Sequence, residues 1–126
     1  MSAKQELFDG LYYYSQNELK YDTYDMLPEE DAPYPFVHFG ATEEDENPLK
    51  AGTSGRITQT INVWGSADMR FEVSDIMDTL IVERVRTQNY IFTRQNKQTQ
   101  ILSDSSVPNT RLIHGIITLV FDYFKN

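Results

Sequence analysis

The spacing of apolar and polar positions divides the chain into elements before any other property is needed. Ala3, Leu7, Leu11 and Tyr14 recur at helical intervals behind a Ser2/Gln5 pair with capping-box spacing, which predicts an amphipathic helix over Ala3–Glu18. Gly10 inside it costs about 1 kcal/mol relative to alanine. Tyr21–Met26 reads as a short strand that runs into the turn composition Leu-Pro-Glu-Glu-Asp-Ala-Pro. Tyr34–Thr42 is strand-like in residue type and apolar on both faces, Phe36 and His38 on one and Val37, Phe39 and Ala41 on the other, which predicts an interior strand.

Arg56–Trp64 alternates cleanly, with Ile57, Gln59, Ile61 and Val63 on one side and Thr58, Thr60, Asn62 and Trp64 on the other. Val73, Ile76, Met77 and Leu80 then follow helical spacing, which predicts a second helix over Asp68–Arg84 capped by Ser66 or Asp68. Asn89–Arg94 and Thr99–Ser103 read as a hairpin turning at Gln95–Gln98. Arg111–Phe124 reads as the longest strand, with Ile113, Ile117, Leu119, Phe121 and Tyr123 on one apolar face and Leu112, His114, Ile116, Thr118, Val120 and Asp122 on a mixed one, and therefore as central in its sheet or curling across it. Between the second and third strands, Glu43–Gly55 is acidic and then glycine-rich without periodicity, a long connection of the kind that usually serves function.

Strands interrupted by two helices, without regular strand–helix alternation, predict an α+β fold. Its expected form is a mainly antiparallel β-sheet with two helices packed on one face and one extended loop. No repeat or linker divides residues 1–126, so one domain is expected. Composition adds limits. The chain has no cysteine, which removes disulfides, thiolate nucleophiles and thiolate metal sites. It has no apolar run near the ~20 residues that cross a bilayer, and Met-Ser-Ala-Lys-Gln-Glu lacks a secretory signal's apolar stretch, so a cytosol-like space and no membrane are expected.

Charge changes the picture more. The net charge is −8, which argues against general nucleic-acid binding. Met1–Lys50 holds 12 acids against 3 bases, and Ala51–Asn126 holds 7 acids against 8 bases, including all six arginines. Catalytic patterns are missing by comparison. His38 and His114 lie in separate strands with no ligand-spaced partner, and read as strand histidines satisfied by hydrogen bonds. Thr53-Ser54-Gly55 is not a nucleophile elbow, and Gly52-x-x-Gly55 lacks the Lys-Ser/Thr of a phosphate loop. Glu43, Glu44, Asp45 and Glu46 are consecutive and lack the spacing that wraps acids around a divalent cation. No catalytic, cofactor or metal residue is expected, and the chain is read as a non-enzyme. Six of its eight tyrosines fall between Tyr12 and Tyr34, and Tyr12, Tyr13, Tyr21 and Tyr24 are candidates for partner contacts if they face outward.

Tyr34-Pro35-Phe36-Val37-His38-Phe39-Gly40, the acidic and glycine-rich loop, and Arg56-Ile57-Thr58-Gln59-Thr60-Ile61-Asn62-Val63-Trp64-Gly65 with its following helix resemble the small tail-completion or tail-terminator proteins of long-tailed bacteriophages. Gln100-Ile101-Leu102-Ser103-Asp104 and Leu112-Ile113-His114-Gly115-Ile116 through Phe121 are similar as well, and the resemblance spans about Leu7 to Phe124. It implies a virion structural subunit, assembled in the host cytoplasm. Such a subunit forms a ring, commonly a hexamer, that ends the tail tube, joins it to the head connector and lets DNA pass without specific binding. A ring uses heterologous contacts, and a chain with one acidic half suits them. Arg70, Arg84, Arg86, Arg94 and Arg111, with Tyr12 and Tyr13, are accordingly candidate subunit-interface residues. Glu43, Glu44, Asp45 and Glu46 are candidates to line the lumen or dock a partner, with Gly52 and Gly55 as pivots. The alternative from another class is an acidic module that inhibits a nucleic-acid enzyme by presenting carboxylates in place of phosphates.

Overall fold

The computed structural model describes residues 1–45 and 54–126. In chain order the elements are α1 (Ala3–Tyr13), a π-helical turn (Tyr14–Glu18), β1 (Thr23–Tyr24), β2 (Phe36–Asp45), β3 (Gly55–Ser66), α2 (Arg70–Leu80), β4 (Arg84–Arg86), β5 (Tyr90–Asp104) and β6 (Leu112–Lys125). The fold is α+β, and the six strands of the described residues form one sheet in the order β1-β2-β3-β6-β5-β4. Every neighbouring pair is antiparallel except β1 with β2.

The first helix starts where the capping pattern places it, with Ser2 Oγ accepting from Gln5 N at 3.3 Å. Its expected last turn winds as a π-turn, in which Leu19 N donates to Tyr14 O at 2.9 Å. That wider turn carries Ser15 into the interior, where its hydroxyl meets Thr23 Oγ1 at 2.8 Å. The second helix is shorter than expected. Met69 takes the cap position without a side-chain bond, Ser66 Oγ instead donates to Asp68 Oδ1, and Arg84 belongs to β4.

Period-2 alternation decides which face of the sheet is covered. Ile57, Ile61 and Val63 of β3 stand beside Phe121, Ile117 and Gly115 of β6, and Val37 and Phe39 of β2 extend the same face. Leu7 and Leu11 of α1 and Val73, Ile76, Met77 and Leu80 of α2 complete one continuous core against it. Full burial of each such aliphatic side chain is worth about 1.5–3 kcal/mol. Gly115 seats α2: a Cβ there would lie 2.4 Å from Met77 Sδ and 3.0 Å from Val73 Cγ1. Gln59 is fully buried on this face because its amide reaches Gly40 O and Thr60 O, while Thr42 Oγ1 donates to Gln59 Oε1. These bonds hold the bulge that shifts the β2–β3 register between Phe39 and Thr42.

Three expectations about strands are corrected: the hairpin at Gln95–Gln98, the interior place of the second strand, and Arg111–Phe124 as the longest strand. Tyr90–Asp104 is one strand, the longest at 15 residues, and Gln95–Gln98 does not turn. β6 offers a continuous 14-residue partner, and β5 follows it with a bulge between Arg94 and Asn96. The polar Gln-Asn-Lys-Gln run suits this place because it stands exposed. The interior position expected for the second strand holds only at its start, where β1 lies outside Val37 and His38. Strand β6 is central, as its one apolar and one mixed face predict.

Candidate interaction surface

The sheet face opposite the helices carries the polar partners of the alternating strands. His38, Asn62, Ile116 and Gln100 form one cross-strand row, and Phe36, Trp64, His114 and Leu102 form the next. The two histidines, 76 positions apart, are joined through one side chain: Asn62 Nδ2 lies 3.2 Å from His38 Nδ1, and Asn62 Oδ1 lies 2.8 Å from His114 Nε2. With the amide donating to His38 and accepting from His114, His38 Nδ1 is unprotonated. Burial pushes both imidazoles below their ordinary pKa, and the nearby acids Asp25 (for His38) and Asp104 (for His114) oppose this only in part. The indole of Trp64 stacks on His114 at 3.8 Å and 10°, and its Nε1 is buried with no acceptor among the described residues. Tyr24 and Tyr34 pack on Phe36 beside this row.

At the far end of the same face, Arg56 and Asp122 form a two-bonded ion pair, Nε–Oδ1 at 2.7 Å and Nη2–Oδ2 at 3.1 Å. Asp122 is buried, so the guanidinium compensates a carboxylate removed from water. On the helix side Glu6 accepts from Asn89 N and Nδ2, and hydrogen bonds from Thr87 and Asn89 hold its carboxyl below the usual range. Neither pair is visible as a motif, because each joins residues more than sixty positions apart.

The candidate interface residues scatter, with two exceptions. Arg70 opens α2 and Arg111 precedes β6, both exposed at separate places. Arg94 is half-buried, and its Nε donates to Val82 O at 3.0 Å, so it serves the fold. Tyr12 is likewise internal: its hydroxyl donates to Thr23 O at 2.8 Å and its ring packs on Phe8 and Phe39. Tyr13 and Arg86, by contrast, are brought together, lining with Glu6, Asp9 and Asn89 a depression of about 450 Å³ between α1 and the β4–β5 turn. Tyr13 is 57% exposed, and Arg84 and Arg86 stand exposed on β4.

The acidic segment needs a larger correction. Glu43, Glu44 and Asp45 are residues of β2 that pair with Thr58, Ile57 and Arg56, so this part of the expected loop is the arm of a hairpin. Glu44 accepts a hydrogen bond from the Tyr123 hydroxyl at 2.5 Å. Gly55 is no pivot: it is buried in β3, and a Cβ there would fall 2.7 Å from the Tyr123 hydroxyl and within 2.9 Å of its ring. Glu46 and Gly52 lie outside the described residues.

Among the described residues no group of three or more His, Asp or Glu side chains is placed to hold a metal ion, and no helix is long and apolar enough to cross a membrane. The uncovered face thus carries a stacked aromatic row and a polar network, with Glu43 and Asp45 toward one border of the sheet and Arg84 and Arg86 at the other. Neither protein-family models nor curated proteins give a match to this chain.

Proposed function

We propose that this chain is a structural subunit of a phage neck or tail, one that assembles into a ring, hexameric in the resembling proteins, ends the tail tube and joins it to the head connector. The observation that carries the reading is the separation of charge along one sheet. Glu43, Glu44 and Asp45 stand on β2 toward one border, and Arg84 and Arg86 stand on β4 at the other. Opposite charges on different surfaces of one chain favour heterologous contacts, which close into rings, over contacts between identical patches. The resemblance of residues 34–40, 56–65 and 112–121 to tail-completion proteins supports the same reading, and the net charge of −8 suits a passage that does not hold DNA. Nothing in it calls for catalysis, a cofactor or a membrane.

Deleting the gene from the phage that carries it and imaging the lysate by electron microscopy tests this. Filled heads separate from tails, or tails of excess length, are expected. Intact virions of normal infectivity would overturn the reading, and a purified chain that stays monomeric and inhibits a nuclease would replace it with the acidic-inhibitor alternative.

A further inference from the structure

The sheet ends in steps. β1 pairs only with Val37 and His38, so β2 from Phe39 to Asp45 has no outer strand among the described residues. At the other border β4 pairs only with Ile91, Phe92 and Thr93, so β5 from Asn96 to Asp104 has no outer strand among them either. Cross-strand partners give the heights of these steps. Phe36, Trp64, His114 and Leu102 share a row near one end of the strands, and Asp45, Arg56, Asp122, Thr93 and Arg84 share a row near the other. β1 therefore projects beside the first row and β4 beside the second. The bare parts of β2 and β5 are notches at the opposite heights, so each border is the complement of the other.

Strand direction and backbone polarity agree with this fit. β4 runs the same way as β2, and β5 runs opposite to β1, because each step of the sheet between β2 and β4 is antiparallel. Laid border to border with the same face outward, β4 lies parallel to the bare part of the next copy's β2, and β5 faces the end where its β1 stands, closed by the Tyr12 hydroxyl on Thr23 O. Ser54 N donates to Tyr123 O, so odd residues of β6 bond toward β3 and even ones toward β5. Asn96, Gln98, Gln100 and Leu102 pair with those even residues, which turns the N–H and C=O of Lys97, Thr99 and Ile101 outward to the bare edge.

Charge completes the match. Arg84 and Arg86 are exposed, and neither guanidinium has an ion pair or hydrogen bond among the described residues. Through Thr93 and Asp122, and through Ile91 and Phe124, both lie on the uncovered face of the sheet. Glu43 and Asp45 are exposed on that same face, and the two arginines and two acids have the same i, i+2 spacing. A stagger of two residues, about 7 Å, sets Arg84 beside Glu43 and Arg86 beside Asp45. Stagger is what closing a sheet around an axis requires. Tyr13, in the depression shared with Arg86, adds an exposed aromatic at this border.

The geometry points to a head-to-tail contact between copies of this chain in which β4 lies along the bare part of β2 of the next copy and Arg84 and Arg86 meet its Glu43 and Asp45. This contact rests on the ring reading above and names the surfaces that form it. The test uses two double variants, Arg84→Glu with Arg86→Glu and Glu43→Arg with Asp45→Arg, whose four positions are exposed. Circular dichroism confirms their folding. Sedimentation velocity over rising concentration is expected to show the wild type self-associating, each variant alone at least tenfold weaker, and their equimolar mixture restored, since the reversed charges match again across a heterologous contact. Variants that associate like the wild type, or a mixture that restores nothing, would overturn the contact while leaving the ring reading standing. A wild type monomeric at every concentration would overturn both.

Discussion

The two faces of the sheet are built from alternate residues of the same strands and obey different rules. On the covered face Ile57, Ile61, Ile117, Leu119 and Phe121 are wholly buried under two helices, and the fold rests on their packing. On the uncovered face the same strands present His38, Asn62, Trp64 and His114, which are joined laterally by one amide bridge between the histidines and one ring stack. The lesson is that one face is held by packing beneath the helices and the other by bonds and stacking along the sheet. Substitutions should separate the faces by magnitude and by the kind of signal they give.

The largest loss belongs to the covered face. Ile61→Ala removes a fully buried side chain at the centre of the core and is expected to cost about 2–5 kcal/mol in urea unfolding. A loss below ~1 kcal/mol would mean that the helices do not pack there. Gly115→Ala comes next, because its Cβ must displace Met77 and Val73 from the seat of α2, and overpacking of this kind costs about 1–3 kcal/mol. Met77→Ala in the same chain should recover part of that loss.

The uncovered face answers to pH. Both histidines have folded pKa values depressed by burial, so the unfolded chain binds more protons as pH falls through the ordinary histidine range near 6.5. Their contribution is fully present above that value and declines as pH drops toward the folded values. Asn62→Asp puts a carboxylate between the rings, raises both folded pKa values and should flatten or reverse the slope of stability between about pH 7.5 and 5. An unchanged slope would show that the network is not what titrates. The smallest effect is expected for Trp64→Phe, which keeps an aromatic ring beside His114 and removes a buried N–H that has no acceptor among the described residues. The two changes oppose each other, so the midpoint should move by less than the shift produced by Gly115→Ala.

Legibility in the sequence followed the range of the interactions. The start of α1, the inner face of β3 and the central place of β6 depend on spacing within a few residues, and all three read correctly. The hairpin expected within residues 89–103 was wrong because Gln95–Gln98 is polar enough for a turn, and only the length of β6 keeps it extended as an edge strand. The acidic loop was misread for a related reason: Glu43–Asp45 has no apolar alternation, yet Thr58, Ile57 and Arg56 supply ladder partners that make it strand. Of the candidate interface residues, Tyr12 and Arg94 turned inward to backbone carbonyls, Thr23 O and Val82 O, which no local pattern announces.

By itself, then, the sequence determined the periods: which residues of each element face a core, how many layers follow, and that the acids lie early and the arginines late in the chain. The tertiary structure decided everything that depends on register between distant strands. It placed His38 and His114 on one asparagine, Arg56 on Asp122, Tyr13 beside Arg86, and the acidic and basic strands toward opposite borders of one sheet. The physical reason is that periodicity fixes the direction of a side chain relative to its own backbone. The neighbour it meets is fixed by the pairing of β3 with β6 and of β6 with β5, a choice made by the whole core at once.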